Sequence, residues 1–127
     1  MIFIYNFHRI HWSVDVDGLP EKTCDVSRLV THKSMVRAVL AGEKTQQRRN
    51  GVYAYPGEQF DLEGATFELS DLRRQRLGDM TEKDATSEGY ASLDAYKDVI
   101  LRMHKGMQWD EGTSVWLHIF RRLASAG

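Results

Sequence analysis

Ala41-Gly42-Glu43-Lys44-Thr45-Gln46-Gln47-Arg48-Arg49 is the stretch on which the reading of this chain turns. Just upstream, Met35, Val36, Val39 and Leu40 recur at helical spacing, with Thr31 or Ser34 available as N-cap. Residues 33–41 are therefore expected as a helix that Gly42 terminates. Residues 44–49 then read as a strand. A lysine at the joint between a glycine-stopped helix and a strand is held by packing on both sides, so it points in a defined direction. The same residues also suit an ordinary helix end with surface charges, and spacing alone does not separate the two.

Outward from that joint the chain reads as short strands and two more helices. Asn50-Gly51 is a two-residue hairpin signal leading into residues 52–55, and Pro56-Gly57 is a further turn. Residues 58–62 and 65–72 alternate as strands joined by Glu63-Gly64, the second extending toward Leu77 through an arginine cluster. Strands tied this tightly indicate a small curved barrel. Thr81-Glu82-Lys83-Asp84 has the form of a capping box, opening a short helix that reaches Glu88 and stops at Gly89. Ser92 caps a second helix whose apolar face is Leu93, Tyr96, Val99, Ile100 and Met103, ending at Gly106. In the last strand Val115, Leu117 and Ile119 face one way and Trp116, His118 and Phe120 the other, which places it in the middle of a sheet. Before the first helix, residues 2–5, 12–16 and 26–30 read as strands, with a turn at 17–20, and residues 123–127 read as a loose tail.

Composition bounds the rest. The 127 residues are 42% hydrophobic and 28% charged with a net charge of -1, the profile of one domain able to bury a core. No apolar run approaches the length of a membrane span, and the apolar start lacks the positive residues of a signal peptide. The single cysteine, Cys24, has no internal partner, and no Cys/His cluster has zinc spacing; a reducing cytoplasm, an inert thiol, and no metal or cofactor are expected. The charge balance excludes a globally basic nucleic-acid binder. Positive charge is nevertheless clumped at Arg48-Arg49, at Arg73-Arg74-Gln75-Arg76 and at Arg121-Arg122, which leaves room for a local patch.

The ordered set of helix, Gly-x-Lys-Thr-x-x-x-Arg strand, barrel strands, Thr-Glu-Lys helix ending Glu-Gly, second helix and final aromatic strand resembles the ASCH domain of the PUA-like superfamily. The resemblance runs from about Met35 to Phe120, with Gly42, Lys44, Thr45 and Arg49 on the signature and Gly57 at the expected turn. Residues 1–30 fall outside it as an N-terminal extension of a single domain over 1–127. The family places hydrophobic residues just ahead of the Thr-Glu-Lys helix, where this chain has Gly78-Asp79-Met80. The resemblance implies an α+β pseudo-barrel with helices at its side and a cleft near Lys44 suited to a nucleobase or a nucleic-acid strand. Some small bacterial members hydrolyse N4-acetylcytidine with a lysine, a threonine three residues later and a glutamate before the second helix. Lys44 and Glu88 match two of these positions, and Gln47 stands at the third.

Two functions follow, and the residues divide between them. Amide hydrolysis needs a nucleophile, a base and a group that protonates the leaving amine. A desolvated Lys44 is the candidate base and Glu88 the proton shuttle, with the hydroxyl of Thr45 or a water as nucleophile, since Gln47 has no hydroxyl. A binding module uses Gln47 differently: its amide carries a donor and an acceptor and pairs with the edge of a pyrimidine or an adenine. Tyr53 and Tyr55 are then candidates to stack on a base, and Arg48, Arg49, Arg73, Arg74 and Arg76 to hold phosphates of single-stranded RNA. A third reading makes residues 2–16 a dimer or partner surface, and leaves monomer against dimer open. His8, His11, His32, His104 and His118 read as structural, as do Trp12, Trp109 and Trp116. Glu88 beside a helix-ending glycine faces the negative end of the helix dipole, a cost that hints at a role.

Overall fold

A computed structural model describes residues 20–124. In chain order the elements are α1 (Lys33–Leu40), β1 (Gln46–Arg49), β2 (Gln59–Leu62), β3 (Ala65–Arg76), α2 (Glu82–Ser87), α3 (Leu93–Met103) and β4 (Ser114–Arg122), with 3-10 turns at Val26–Arg28 and Leu77–Asp79. The strands form one antiparallel sheet in the order β1-β4-β3-β2. It curls into a half barrel with the helices packed alongside, the α+β architecture that the resemblance implies. The expected segments 2–5 and 12–16, with His8, His11 and Trp12, lie outside the described residues. Among the described residues no helix is long and apolar enough to cross a membrane.

β4 lies between β1 and β3 because both of its faces are apolar. Phe120 joins Phe60, Phe67, Leu69, Leu72, Val36 and Val39 in a first core, with Trp116 packed at its margin. Val115 joins Leu77, Met80, Ala85 and Tyr96 in a second core under α2 and α3. A bulge at Ser70 keeps the first core continuous: Leu69 is opposite Phe120, but Asp71, not Ser70, is opposite Ile119. The extra residue shifts the alternation by one, so Leu69 and Leu72 both face inward and Asp71, Arg73 and Gln75 turn to the other face. The β2–β3 connection is the expected two-residue turn, with positive φ at both Glu63 and Gly64. The capping box forms as read, Thr81 Oγ1 accepting from Asp84 N while Asp84 Oδ2 accepts from Thr81 N.

Several expectations are corrected. Residues 50–55 do not form a hairpin with β1, which pairs with β4 instead. Their backbone bonds go elsewhere: Val52 O accepts from Thr23 N, Tyr53 N donates to His118 Nε2 and Tyr55 N to Glu58 Oε2. Only Val52 makes a bridge, parallel to Lys22. A Cβ at Gly51 would overlap the Thr23 side chain, so this glycine serves close packing rather than a tight turn. Residues 26–30 are no strand: Val26–Arg28 form a 3-10 turn that Asp25 caps by accepting from Ser27 N. The strand after Gly42 begins at Gln46, two residues later than read, and α1 is capped by His32, whose Nδ1 accepts from Ser34 N. α3 ends at Met103, which is exposed instead of facing the core. Leu123 is no loose tail residue, since its amide donates to Thr66 O. Gly78 follows from the loop it touches: a Cβ there would come within 2.8 Å of Glu111 Cβ, while Leu77 and Met80 supply the burial on either side.

His118 is the core residue the sequence suggested, and it stitches three segments together. Its Nε2 accepts from Tyr53 N at 3.1 Å, and its Nδ1 lies 3.2 Å from Gln47 O and 3.1 Å from Trp116 O. That pattern requires a neutral ring with the proton on Nδ1. Burial pushes its pKa down to about 4, against partial compensation from the carbonyls of Gln47 and Trp116. As pH falls, the unfolded chain takes up the histidine proton first. Stability from this group is therefore intact above pH about 6.5 and is lost between about 6.5 and 4, by up to about 3 kcal/mol. The urea midpoint should fall more between pH 7 and pH 4.5 in the wild type than in His118→Gln, whose amide reproduces the donor and acceptor without titrating there.

Candidate functional site

Lys44 is placed by the end of α1. Gly42 takes φ of 79°, its amide donates to Val39 O, and Glu43 N donates to Ala38 O, the paired bonds of a Schellman motif. Lys44 N shares the Ala38 carbonyl at 3.1 Å, so the residue leaves the helix in one fixed direction. Thr45 N then donates to Ser87 O at the end of α2, which draws the two helix ends together. Gly89, with φ of 101°, packs over Lys44, and a Cβ there would lie 3.5 Å from Lys44 Cβ.

The Lys44 side chain is 1% exposed and makes three bonds inside the protein. Nζ donates to Gln46 O at 2.7 Å, to Glu88 O at 2.9 Å and to Glu88 Oε1 at 3.0 Å. Glu88, 2% exposed, accepts through its other oxygen from Arg48 Nη1 at 3.1 Å. Arg48 further donates to Gln46 Oε1 and Gln75 Oε1, and its Nη2 pairs with Asp84 Oδ1 at 3.3 Å. The result is a cluster of two buried cations and the buried Glu88 carboxylate, with the half-buried Asp84 carboxylate and two glutamine amides at its edges. Burial lowers the Lys44 pKa, the Glu88 carboxylate opposes that shift, and the charges of Arg48 and Arg49 add to it. The unfavourable position of Glu88 at the C-terminus of α2 is offset locally, because two cations face its carboxylate.

Two hollows flank this cluster. One, about 430 Å³, opens between β1, α3 and the entry to α1, with Gln47, Arg48, Arg49 and Glu88 on its polar side. Tyr90, Tyr96, Val99, Ile100, Met35 and Met103 form its apolar side. Burial first, and then the Glu88 carboxylate, push the phenols of Tyr90 and Tyr96 up, so both stay protonated and able to donate. The other hollow, about 630 Å³, is bordered by Arg73, Arg74, Gln75, Arg76 and Ser114, with Asp79 and Asp84 among them. Arg48 and Glu88 thus line the first and Asp84 the second.

The structure brings Lys44, Arg48 and Glu88 together and sets Gln47 and Arg49 beside them on the cavity. It does not bring Thr45 there: its side chain is exposed, and its backbone bonds to Ser87 and Phe120. Tyr53 and Tyr55 do not border the cavity either. Both pack against the first core, Tyr53 under the Arg49 guanidinium and Tyr55 with its hydroxyl on Pro20 O. Arg73 pairs with Asp71 and Arg76 with Asp79, so part of the arginine cluster is already neutralised. Sequence reasoning missed Tyr90, Tyr96 as a cavity residue, Gln75 and Asp84, because each reaches the site from an element whose docking no local pattern announces. His32 and His104 also border the cavity, where the sequence reading made them structural. Among the described residues no group of histidine, cysteine and carboxylate side chains is arranged to hold a metal.

Comparison with known proteins gives the fold. The chain is similar to the ASCH domain of Lactobacillus crispatus JV V101, with a TM-score of 0.58 and 16% identity over 71% of this chain and 70% of that one. It is also similar to a DUF984 protein from Enterococcus faecalis V583, with a TM-score of 0.50 and 16% identity over 96% of this chain and 86% of the other. No protein-family model and no curated protein matches the sequence. The fold is thus ASCH-like, as the resemblance read from the sequence implies.

Because the Glu88 carboxylate is the ion-pair partner of both Lys44 and Arg48, removing it leaves two buried cations under-compensated. Glu88→Leu should destabilise the protein by about 3 kcal/mol or more, since it leaves Lys44 and Arg48 without their shared carboxylate. Lys44→Met in the same background should restore part of that loss. Urea unfolding of the single and double variants reads both numbers.

Proposed function

We propose that this chain is a nucleic-acid or nucleoside-binding module that receives a nucleobase in the cavity beside β1. The observation that carries the reading is the two-sided character of that cavity. Its volume of about 430 Å³ lies in the range of small-ligand sites, which pair an apolar wall with a few polar groups that set orientation. Among the described residues the amide of Gln47 is held only by a 3.2 Å bond to the neighbouring Arg48 carbonyl, and an incoming base edge exchanges for that bond at little cost. Tyr90 supplies the ring surface that Tyr53 and Tyr55 were expected to provide. Arg49 stands at the cavity edge as the group nearest a phosphate. Single-stranded RNA uses all three, and a modified nucleoside the first two.

One observation favours a second reading, hydrolysis of an N4-acylated cytidine: Glu88 is on the cavity wall and bonded to a buried lysine of lowered proton affinity. In that reaction water adds to the acyl carbon, the C–N bond breaks, and the amine leaves with a proton. Lys44 is poorly placed as the base, because its Nζ is engaged in three bonds and does not border the cavity, and Thr45 is outside it. Glu88 would then both take the proton of the water and pass it to the amine. The binding reading is the stronger, since it uses the residues in the positions they occupy.

Fluorescence titration with single-stranded RNA and with a panel of plain and N4-acylated nucleosides tests both readings. Binding at low salt, weakened about tenfold in Gln47→Ala, is expected. Absence of binding to every member of the panel at low salt refutes the module. Chromatography of the same mixtures decides catalysis: cytidine released from an acylated nucleoside establishes the hydrolase, and intact substrate leaves the binder.

A further inference from the structure

Arginines on the sheet fall into two groups. Arg48, Arg73, Arg76 and Arg121 each pair with a carboxylate. Arg49, Arg74 and Arg122 lie instead over aromatic rings: Tyr53 at 5.1 Å, Trp116 at 4.9 Å and Phe67 at 6.0 Å. Two of these belong to a single row. Arg49 is opposite Trp116 across the β1–β4 ladder, and Arg74 is opposite the same Trp116 across the β4–β3 ladder. Residues opposite each other point to the same face, so Tyr53, Arg49, Trp116 and Arg74 run side by side across it. The bulge at Ser70 is what puts Arg74 there, because without it Arg73 would occupy that position.

The row has a direction. Arg49 borders the nucleobase cavity and Arg74 borders the arginine-lined hollow, so the row leads from one to the other. Arg49 anchors Nε and Nη2 on the Leu29 and Arg28 carbonyls, which leaves Nη1 for a ligand. Among the described residues the Arg74 guanidinium makes no ion pair and no side-chain hydrogen bond; it rests on Trp116 and is otherwise exposed. Two guanidinium groups about 10 Å apart, two strand spacings, with a half-buried indole between them, form the alternation of charge and ring surface that single strands favour. A carboxylate-paired arginine presents no such net charge, and a free nucleoside has no phosphates to use the row.

We propose that the ligand of the cavity is a segment of single-stranded nucleic acid, not a free nucleoside, and that its backbone continues from the cavity over Trp116 along Arg49 and Arg74. This rests on the nucleobase reading of the cavity and adds the track outside it. Bases beyond the first stack on the planes of the indole and the guanidinium groups, while phosphates take the outward N–H donors.

The test uses the intact chain, a fluorescein-labelled single-stranded RNA of about ten nucleotides, and the nucleoside that binds best. Arg74→Gln is exposed and should fold normally; Arg121→Gln removes the same charge from an arginine that Glu68 already pairs. Arg74→Gln should weaken the oligonucleotide about tenfold and reduce the slope of log affinity against log salt by about 1, leaving the nucleoside unaffected. Arg121→Gln should change neither by as much as twofold. Equal losses in the two variants, or none in Arg74→Gln, overturn the track. Nucleoside binding without oligonucleotide binding overturns the track and leaves the cavity reading standing. Absence of both removes the cavity reading and the track with it.

Discussion

Two buried cations held against a buried carboxylate, with the half-buried carboxylate of Asp84 at their edge, are the constraint around which this molecule is arranged. Taking Lys44, Arg48 and Glu88 out of water carries a large desolvation penalty, and their mutual attraction offsets it only if the geometry is good and the remaining donors are satisfied. Here most of the remaining donors are satisfied, and the buried one that makes no hydrogen bond among the described residues, Arg48 Nη2, lies 3.3 Å from a carboxylate oxygen of Asp84. The Gln46 and Glu88 carbonyls take the lysine, the Gln46 and Gln75 amide oxygens take the arginine, and Asp84 faces the far nitrogen. The end of α1, the edge strand β1, the whole of α2 and the end of β3 must therefore be in place together. A short helix of six residues such as α2 is marginal by itself. The capping box at one end and the ion cluster at the other hold it, and Glu82 ties it on to α3 through the Leu93 amide.

The cluster also divides the surface. Arg48 and Glu88 line one hollow and Asp84 the other, so the cluster presents a side to each. The cavity gains one charged wall and one apolar wall, the combination that orients an amphipathic ring. Within the cluster Lys44 acts as a counterion set behind Glu88: its bonds point inward, so its influence on the cavity passes through the carboxylate.

The elements with local signals were legible. Gly42 with the apolar residues before it, the Thr81 capping box, the Ser92 cap, the Glu63-Gly64 turn and the doubly apolar β4 each carry their information within a few residues, and each took the form those residues imply. Asn50-Gly51 carried an equally strong local signal and misled. The Tyr53 and Tyr55 amides are satisfied by the side chains of His118 and Glu58, and the Val52 carbonyl by the Thr23 amide. A turn signal describes what a chain does when nothing else competes for its backbone bonds.

The sequence alone determined the order of the three helices among the strands β1 to β4 and the central place of the last strand, because periodicity and caps are properties of neighbours along the chain, whereas the meeting of residues 44 and 88 was implied only by the resemblance. Only the tertiary structure decided that Lys44 is enclosed, that Tyr90 and Tyr96 rather than Tyr53 and Tyr55 border the cavity, and that one bulged residue turns Arg74 over Trp116. Those outcomes depend on which faces dock and in what register, and such choices are set by burial across the whole core instead of by any one segment.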